Sequence, residues 1–164
     1  MSKNRDQRNE YIRFLYRRHI FLPPGGDFRQ SASELGIQND IMEKDILPNL
    51  TSRGLIEMGA LGGDYYLTIG GIDEVEDMLN DTAEVRRTRT NRISFLSELQ
   101  RVRNNGGGYS NRYDIGNGLQ LDNDTVDHLI VHYYHSIGFI ERTLGPEIRI
   151  TEYGNRFLEG LNQE

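Results

Sequence analysis

A chain of 164 residues, 36% hydrophobic and 27% charged, has the size of one ordinary domain or two small ones, and so low an apolar fraction suits two small cores better than one large core. The absence of Cys excludes a disulfide framework, a thiolate metal site and a Cys nucleophile, and no apolar run approaches the ~20 residues of a membrane-spanning helix. Net charge is −6, unfavourable for a generic polyanion binder, but the charge is blocked: +4 over residues 1–18, −10 over 19–84, +5 over 85–103 and −5 over 104–164.

The opening, Met1 to Glu10, is polar and lacks the apolar stretch of a signal peptide, so a cytoplasmic protein is expected. Helical spacing of Tyr11, Phe14, Leu15 and Arg18 predicts a helix over Asp6–Phe21, ended by Pro23-Pro24-Gly25-Gly26. Ser31 and Glu34 have capping-box spacing for a short helix Ser31–Leu35. A longer helix follows over Asn39–Arg53 with Met42, Ile46 and Leu50 as its core stripe. Pro48 is expected to kink or break it after Asp45, and Gly54 to stop it. LIEMGA, the turn LGGD and YYLT read as a β-hairpin, and Gly71–Thr82 as a closing helix. Residues 83–91, AEVRRTRTN, either link two units or continue the preceding helix. The second half predicts a helix at Thr90–Asn104, a Gly-rich loop at 106–108 and a short helix near Asn111–Asn117. It continues with a helix over Asp122–Ser136, a hairpin across Leu144-Gly145-Pro146 and a helix at Tyr153–Leu161.

These halves repeat. NDIMEKDILPNLTSRGLIEM at 39–58 lies over NDTVDHLIVHYYHSIGFIER at 123–142, pairing Gly54 with Gly138 and Glu57 with Glu141 at a spacing of 84. With one deletion the match runs on, pairing Thr68 with Thr151 and Gly71 with Gly154; upstream, IRFL at 12–15 lies over ISFL at 93–96. The order helix, short helix, longer helix, hairpin, helix occurs twice. With ASELGI at 32–37, LTSRGLI at 50–56, YHSIGFIE at 134–141 and ITEYGNRFLEGL at 150–161, both halves resemble the winged-helix superfamily common in prokaryotic transcription regulators. The resemblance covers nearly the whole chain. It implies a mainly α fold with small β-hairpins, organised as winged-helix domains at 1–82 and 92–164 around a basic linker at 83–91. It is weaker for function, because the same fold also serves as a protein-binding module.

In that superfamily the second helix of the motif enters the major groove, which calls for Arg, Lys, Asn or Gln on its outer face. The second half does not supply them. With Val126, Leu129, Ile130, Tyr133 and Ile137 as its core stripe, the helix turns Asp124, Asp127, His128, His132 and His135 outwards. In the first half Ile41, Lys44, Asp45 and Pro48 face out. The three His share one face and invite a metal test. No Cys, Glu or further His closes a shell, so a solvated face without metal is expected. The basic blocks are the better candidates: Arg13 and Arg17 on the first helix, Arg86, Arg87, Arg89 and Arg92 around the linker, and Arg142 and Arg149 on the second hairpin. Equally open is that these arginines pair with the chain's own acidic blocks. Gly62-Gly63 and Gly106-Gly107-Gly108 lack phosphate-loop spacing, the carboxylate clusters lack EF-hand spacing, and no nucleophile turn accompanies a Ser-His-Asp set. The expectation is a DNA-binding transcription regulator that takes no cofactor, is not an enzyme, and meets double-stranded DNA but no membrane. The alternative is a protein-interaction module using acidic and apolar helix faces toward a partner or a homodimer.

Overall fold

A computed structural model describes residues 2–18, 28–59 and 62–162. The chain is mainly helical with two small antiparallel sheets, and it divides into two compact units, residues 1–80 and 81–164. Among the described residues no helix is long and apolar enough to cross a membrane.

The first unit contains α1 (Ser2–Arg18), α2 (Phe28–Glu34), α3 (residues 39–52), β1 (Ile56–Met58), β2 (Tyr65–Leu67) and α4 (Ile69–Leu79). Tyr11, Ile12, Leu15 and Tyr16 of α1 are buried, as are Met42, Ile46 and Leu50 of α3 and Ile72 and Val75 of α4. Periodic apolar residues thus give each helix one buried face. The β1–β2 hairpin pairs Ile56 with Leu67 and Met58 with Tyr65.

The second unit contains α5 (Ala83–Asn104), β3 (Ser110–Asn111), α6 (Arg112–Gly118), α7 (residues 125–136), β4 (Ile140–Arg142), β5 (Glu147–Ile150) and α8 (Glu152–Leu161). Its sheet runs β3-β5-β4. Phe95, Leu96, Leu99, Val126, Ile130, Tyr134, Ile140, Ile148 and Leu158 form its core.

The repeated residues build one backbone node twice. Gly54 (φ 68°) and Gly138 (φ 82°) take the left-handed conformation that ends α3 and α7, where a side chain would be strained. The Thr68 hydroxyl donates to the Gly54 carbonyl at 2.5 Å and accepts from the Gly71 N–H at 3.1 Å, capping α4. Thr151 does the same for α8, donating to Gly138 at 2.7 Å and accepting from Gly154 at 3.1 Å. A Cβ on Gly71 would lie 2.0 Å from the Leu55 carbonyl oxygen, and one on Gly154 would lie 2.5 Å from that of Phe139. Each helix therefore approaches the residue just ahead of a strand too closely for any other residue.

The spacing of 84 also holds upstream of this node. The Phe28 N–H donates to Gly63 at 3.0 Å, and the Arg112 N–H donates to Pro146 at 3.1 Å. Arg8 Nε donates to Asp45 at 2.8 Å, and Arg92 Nε donates to the carbonyl of Leu129 at 2.6 Å, both spacings again 84. The match of IRFL to ISFL, at a spacing of 81, is therefore out of register. Buried Tyr11, Ile12 and Leu15 correspond instead to buried Phe95, Leu96 and Leu99.

Several expectations are corrected. Residues 83–91, read as a linker, are helical and continuous with 92–104; the preceding helix ends at Leu79, and Asn80 and Asp81 carry φ of 41° and 54°. Ser31 is not an N-cap: α2 starts at Phe28, and Ser31 is buried inside it. Pro48 does not break α3. Residues Met42–Ile46 form a π turn in which the Leu47 N–H reaches back five residues to Met42, and Pro48 then sits in the first turn of the α-helical stretch that follows, where its missing N–H costs least. The second unit has a π turn too, at Thr125–Val131. It shifts the helical phase, so Val131 and Tyr134 are buried, whereas Tyr133 and Ile137 are only partly buried. The Pro-Pro-Gly-Gly stop, Ala60 at the end of LIEMGA and Leu61 at the start of the turn LGGD lie outside the described residues.

Candidate nucleic-acid interface

The arginines expected to meet a nucleic acid separate into distinct environments. Arg92 is 4% exposed. Besides its bond to Leu129, its guanidinium lies 4.0 Å from the ring centroid of Tyr133, so it works inside the second unit and cannot reach a groove. Its neighbours on α5 point away from that buried face: Arg86, Arg87 and Arg89 are all exposed within the first two turns, while Val85, Thr88 and Arg92 are buried. Arg86 donates to the carboxylate of Asp81 at 3.0 Å and to its carbonyl at 2.7 Å. Arg87, like Arg89, is exposed.

The second hairpin carries Arg142 and Arg149 on adjacent strands. Arg149 pairs with Glu141, its cross-strand register partner, at 2.6 Å, and lies 4.8 Å from the Tyr109 ring centroid. This pairing holds the Glu141 carboxyl below the usual range and raises the Arg149 guanidinium. Arg142 is exposed. Behind the hairpin is a 340 Å³ cleft lined by Arg103, Gly107, Gly108, Glu141, Arg149 and Glu152. Arg103 pairs with Glu152 at 2.7 Å, so the two arginines of the cleft are matched by two carboxylates. In the first unit Arg13 and Arg17, one turn apart on α1, line a groove with Asp6, Glu10, Phe14 and Leu35.

The helices expected to face a groove are acidic or neutral outside. On α3 the exposed residues include Asp40, Glu43 and Lys44, with Glu43 3.5 Å from Arg29. Ahead of α7, Asp122 and Asp124 are exposed; Asp122 accepts from the Thr125 N–H at 2.9 Å and orders the helix start. Asp127 is not an open carboxylate. It accepts from Arg112 Nε at 2.6 Å and from the Tyr113 hydroxyl at 2.9 Å. Arg112 also donates to the Gly145 carbonyl at 3.2 Å, tying α6 to α7 and to the hairpin turn. Sequence reading missed this node, because Arg112 and Asp127 lie 15 residues apart with no local pattern joining them. His135 is exposed, and its Nδ1 lies 3.2 Å from the Ile140 carbonyl oxygen; His128 and His132 are partly buried. Among the described residues no three of His, Asp and Glu are grouped so as to hold a metal ion.

Comparison with protein families, with curated proteins and with solved structures returned no match.

Proposed function

We propose that each unit is a winged helix, and that the chain is a cytoplasmic, non-enzymatic protein that binds duplex DNA as a small transcription regulator. The observation that carries this reading is the exposed trio Arg86, Arg87 and Arg89 at the start of α5. Three guanidinium groups on four consecutive positions of one exposed stretch concentrate positive charge where a phosphate backbone can be met at more than one point. Arg142 on the second hairpin adds a further exposed cation, whereas the first hairpin has no Lys or Arg between Ile56 and Leu67. Contact through the second unit's helix start and hairpin explains how DNA is met although the outer faces of α3 and α7 lack arginine.

The test is binding of a labelled random duplex over a range of salt. Phosphate contacts release counterions, and each one lost lowers the salt slope by about one. Replacing Arg86, Arg87 and Arg89 by Ala weakens binding and flattens the slope by about two to three, Arg142→Ala flattens it by about one, and His128→Ala with His132→Ala changes it little. No shift of the duplex at low salt defeats the reading. The second reading is a protein-interaction module, and what favours it is exposed Asp40, Glu43, Asp122 and Asp124 where a DNA reader needs donors.

A further inference from the structure

The outer face of α1 carries charges sorted by sign. Asp6, Glu10, Arg13 and Arg17 follow one another at steps of four, three and four residues, so they fall within about 60° of one another around the helix, opposite the buried Tyr11, Ile12, Leu15 and Tyr16. Asp6, Glu10 and Arg17 are exposed and Arg13 is half-buried. The helix itself does not call for this order. It puts like charges one turn apart, Asp6 beside Glu10 and Arg13 beside Arg17, which is unfavourable in an isolated helix. The first turn of α1 has no acidic residue, and the helix dipole has faded where Glu10 and Arg13 stand. Nor does the fold require the stripe. The first helix of the second unit carries Thr90, Ser94, Ser97 and Arg101 at these positions, and its Arg101 pairs with Glu98 of the same helix. In the first unit the counterpart of Glu98 is Phe14, which lines the groove beside the two arginines together with Leu35, just past the end of α2.

We propose that this stripe docks a second copy of the chain, α1 against α1 in antiparallel fashion, about a two-fold axis passing between Glu10 and Arg13. Steps of four and three residues make the seam of a coiled coil, and this axis sets Asp6 level with Arg17 of the second copy and Glu10 level with the second copy's Arg13. Each pair is made twice. Charge selects a second copy as the occupant, because two acids followed by two arginines are their own complement when read backwards. A parallel pair would set like against like. Phe14, Leu35 and the aliphatic stems of the arginines give the contact its apolar area. Exposed ion pairs are individually weak, so the dimer forms at high protein concentration and dissolves in salt. This surface does not depend on the DNA reading, which rests on the second unit.

Sedimentation velocity of the full chain, from low micromolar to several hundred micromolar, tests it. The expected result is a monomer–dimer equilibrium whose association constant falls by about tenfold or more between about 20 mM and about 500 mM salt. Asp6→Arg sets arginine against arginine at both ends of the seam, and Arg17→Glu sets carboxylate against carboxylate there, so each alone weakens the low-salt dimer by about tenfold. Mixed in equal amounts, the two variants regain the dimer as a heterodimer in which every pair is again of opposite sign, and the double variant Asp6→Arg with Arg17→Glu regains it alone. These variants change only exposed side chains, and circular dichroism checks that each is folded. A chain that stays monomeric in low salt, a dimer indifferent to salt or to Asp6→Arg, or a mixture that forms no more dimer than its two components apart overturns the proposal.

Discussion

Arg92 belongs by sequence to a basic block and by structure to a core. Its neighbours three and six positions earlier are exposed, but its own position faces inwards, and a guanidinium there satisfies a backbone carbonyl and covers an aromatic ring. Arg92→Met therefore destabilises the protein by about 2 kcal/mol in urea unfolding, the cost of losing a charged hydrogen bond to a buried acceptor, and leaves the salt slope of DNA binding unchanged. Ser31 gives the opposite case. It is 1% exposed and its Oγ has no hydrogen-bond partner among the described residues. Ser31→Ala should be neutral or stabilise by up to about 1 kcal/mol, whereas removing a true N-cap costs about that much. Thr68 and Thr151 are such caps, and Thr→Ala at either costs about 1 kcal/mol, by the same amount in both units because the bonds are the same. These two threonines and the glycines beside them were legible, because a node that needs a left-handed residue, a hydroxyl and a missing Cβ constrains residue type. The roles of Ser31 and Arg92 were not, because burial is decided by neighbours distant in the chain.

At the scale of elements, the hairpins and most helices stand where the apolar pattern puts them; the errors are the start of α5, read as a linker, and the helical phase where the hydrogen-bond period changes. A π turn in α7 moves the buried set from Tyr133 to Tyr134, which no reading at the ordinary helical period reports. The π turn of α3 also presents Asp45 to α1. There Asp45 accepts from Arg8 and Asn4, both at 2.8 Å, and these bonds hold its carboxyl below the usual range. Asp45 thus stays ionised in the folded chain where the unfolded chain takes up a proton. Its contribution is complete above the ordinary carboxylate value near ~3.9 and is lost as pH falls through the lower folded value. Asp45→Asn should cost about 1 kcal/mol at neutral pH, discounted for a pair roughly one quarter exposed, and the gap to the wild type should close in acid. Unfolding midpoints measured from pH 7 down to the acid limit of folding check this.

Across the whole molecule, frame and surface follow different rules. Gly54, Thr68 and Gly71 recur as Gly138, Thr151 and Gly154, while Tyr66 at one hairpin stands where the other has Arg149, and Gly70 and Glu74 stand where α8 has Tyr153 and Phe157. The net charge of −6 hides the same division, since the cations proposed to meet DNA are concentrated at the start of α5 and on one hairpin. Gly71→Ala and Gly154→Ala should each destabilise by more than about 2 kcal/mol, because the new methyl meets a backbone oxygen that cannot turn aside. Hydrogen exchange should place the loss in residues 1–80 for the first variant and in 81–164 for the second. The repeat could be read from sequence to within a few residues. It failed in α1 and α5, where a short string of like letters outweighed burial and put the first helices three residues out of step.

The π turns also fix the phase of the helices that hold them. A π turn is an α-helix with one residue too many, and this chain has its surplus residue at Met42–Ile46 and again 84 positions later, within Thr125–Val131. Only the first is followed by a proline, so no shared local need explains both. Both units build their cores around the surplus, with Met42 and Ile46 buried beside the one and Val126, Ile130 and Val131 beside the other. Deleting one residue from either turn would swing every later side chain of that helix by about 100° and turn Leu50 in the one, or Tyr134 in the other, out of its core.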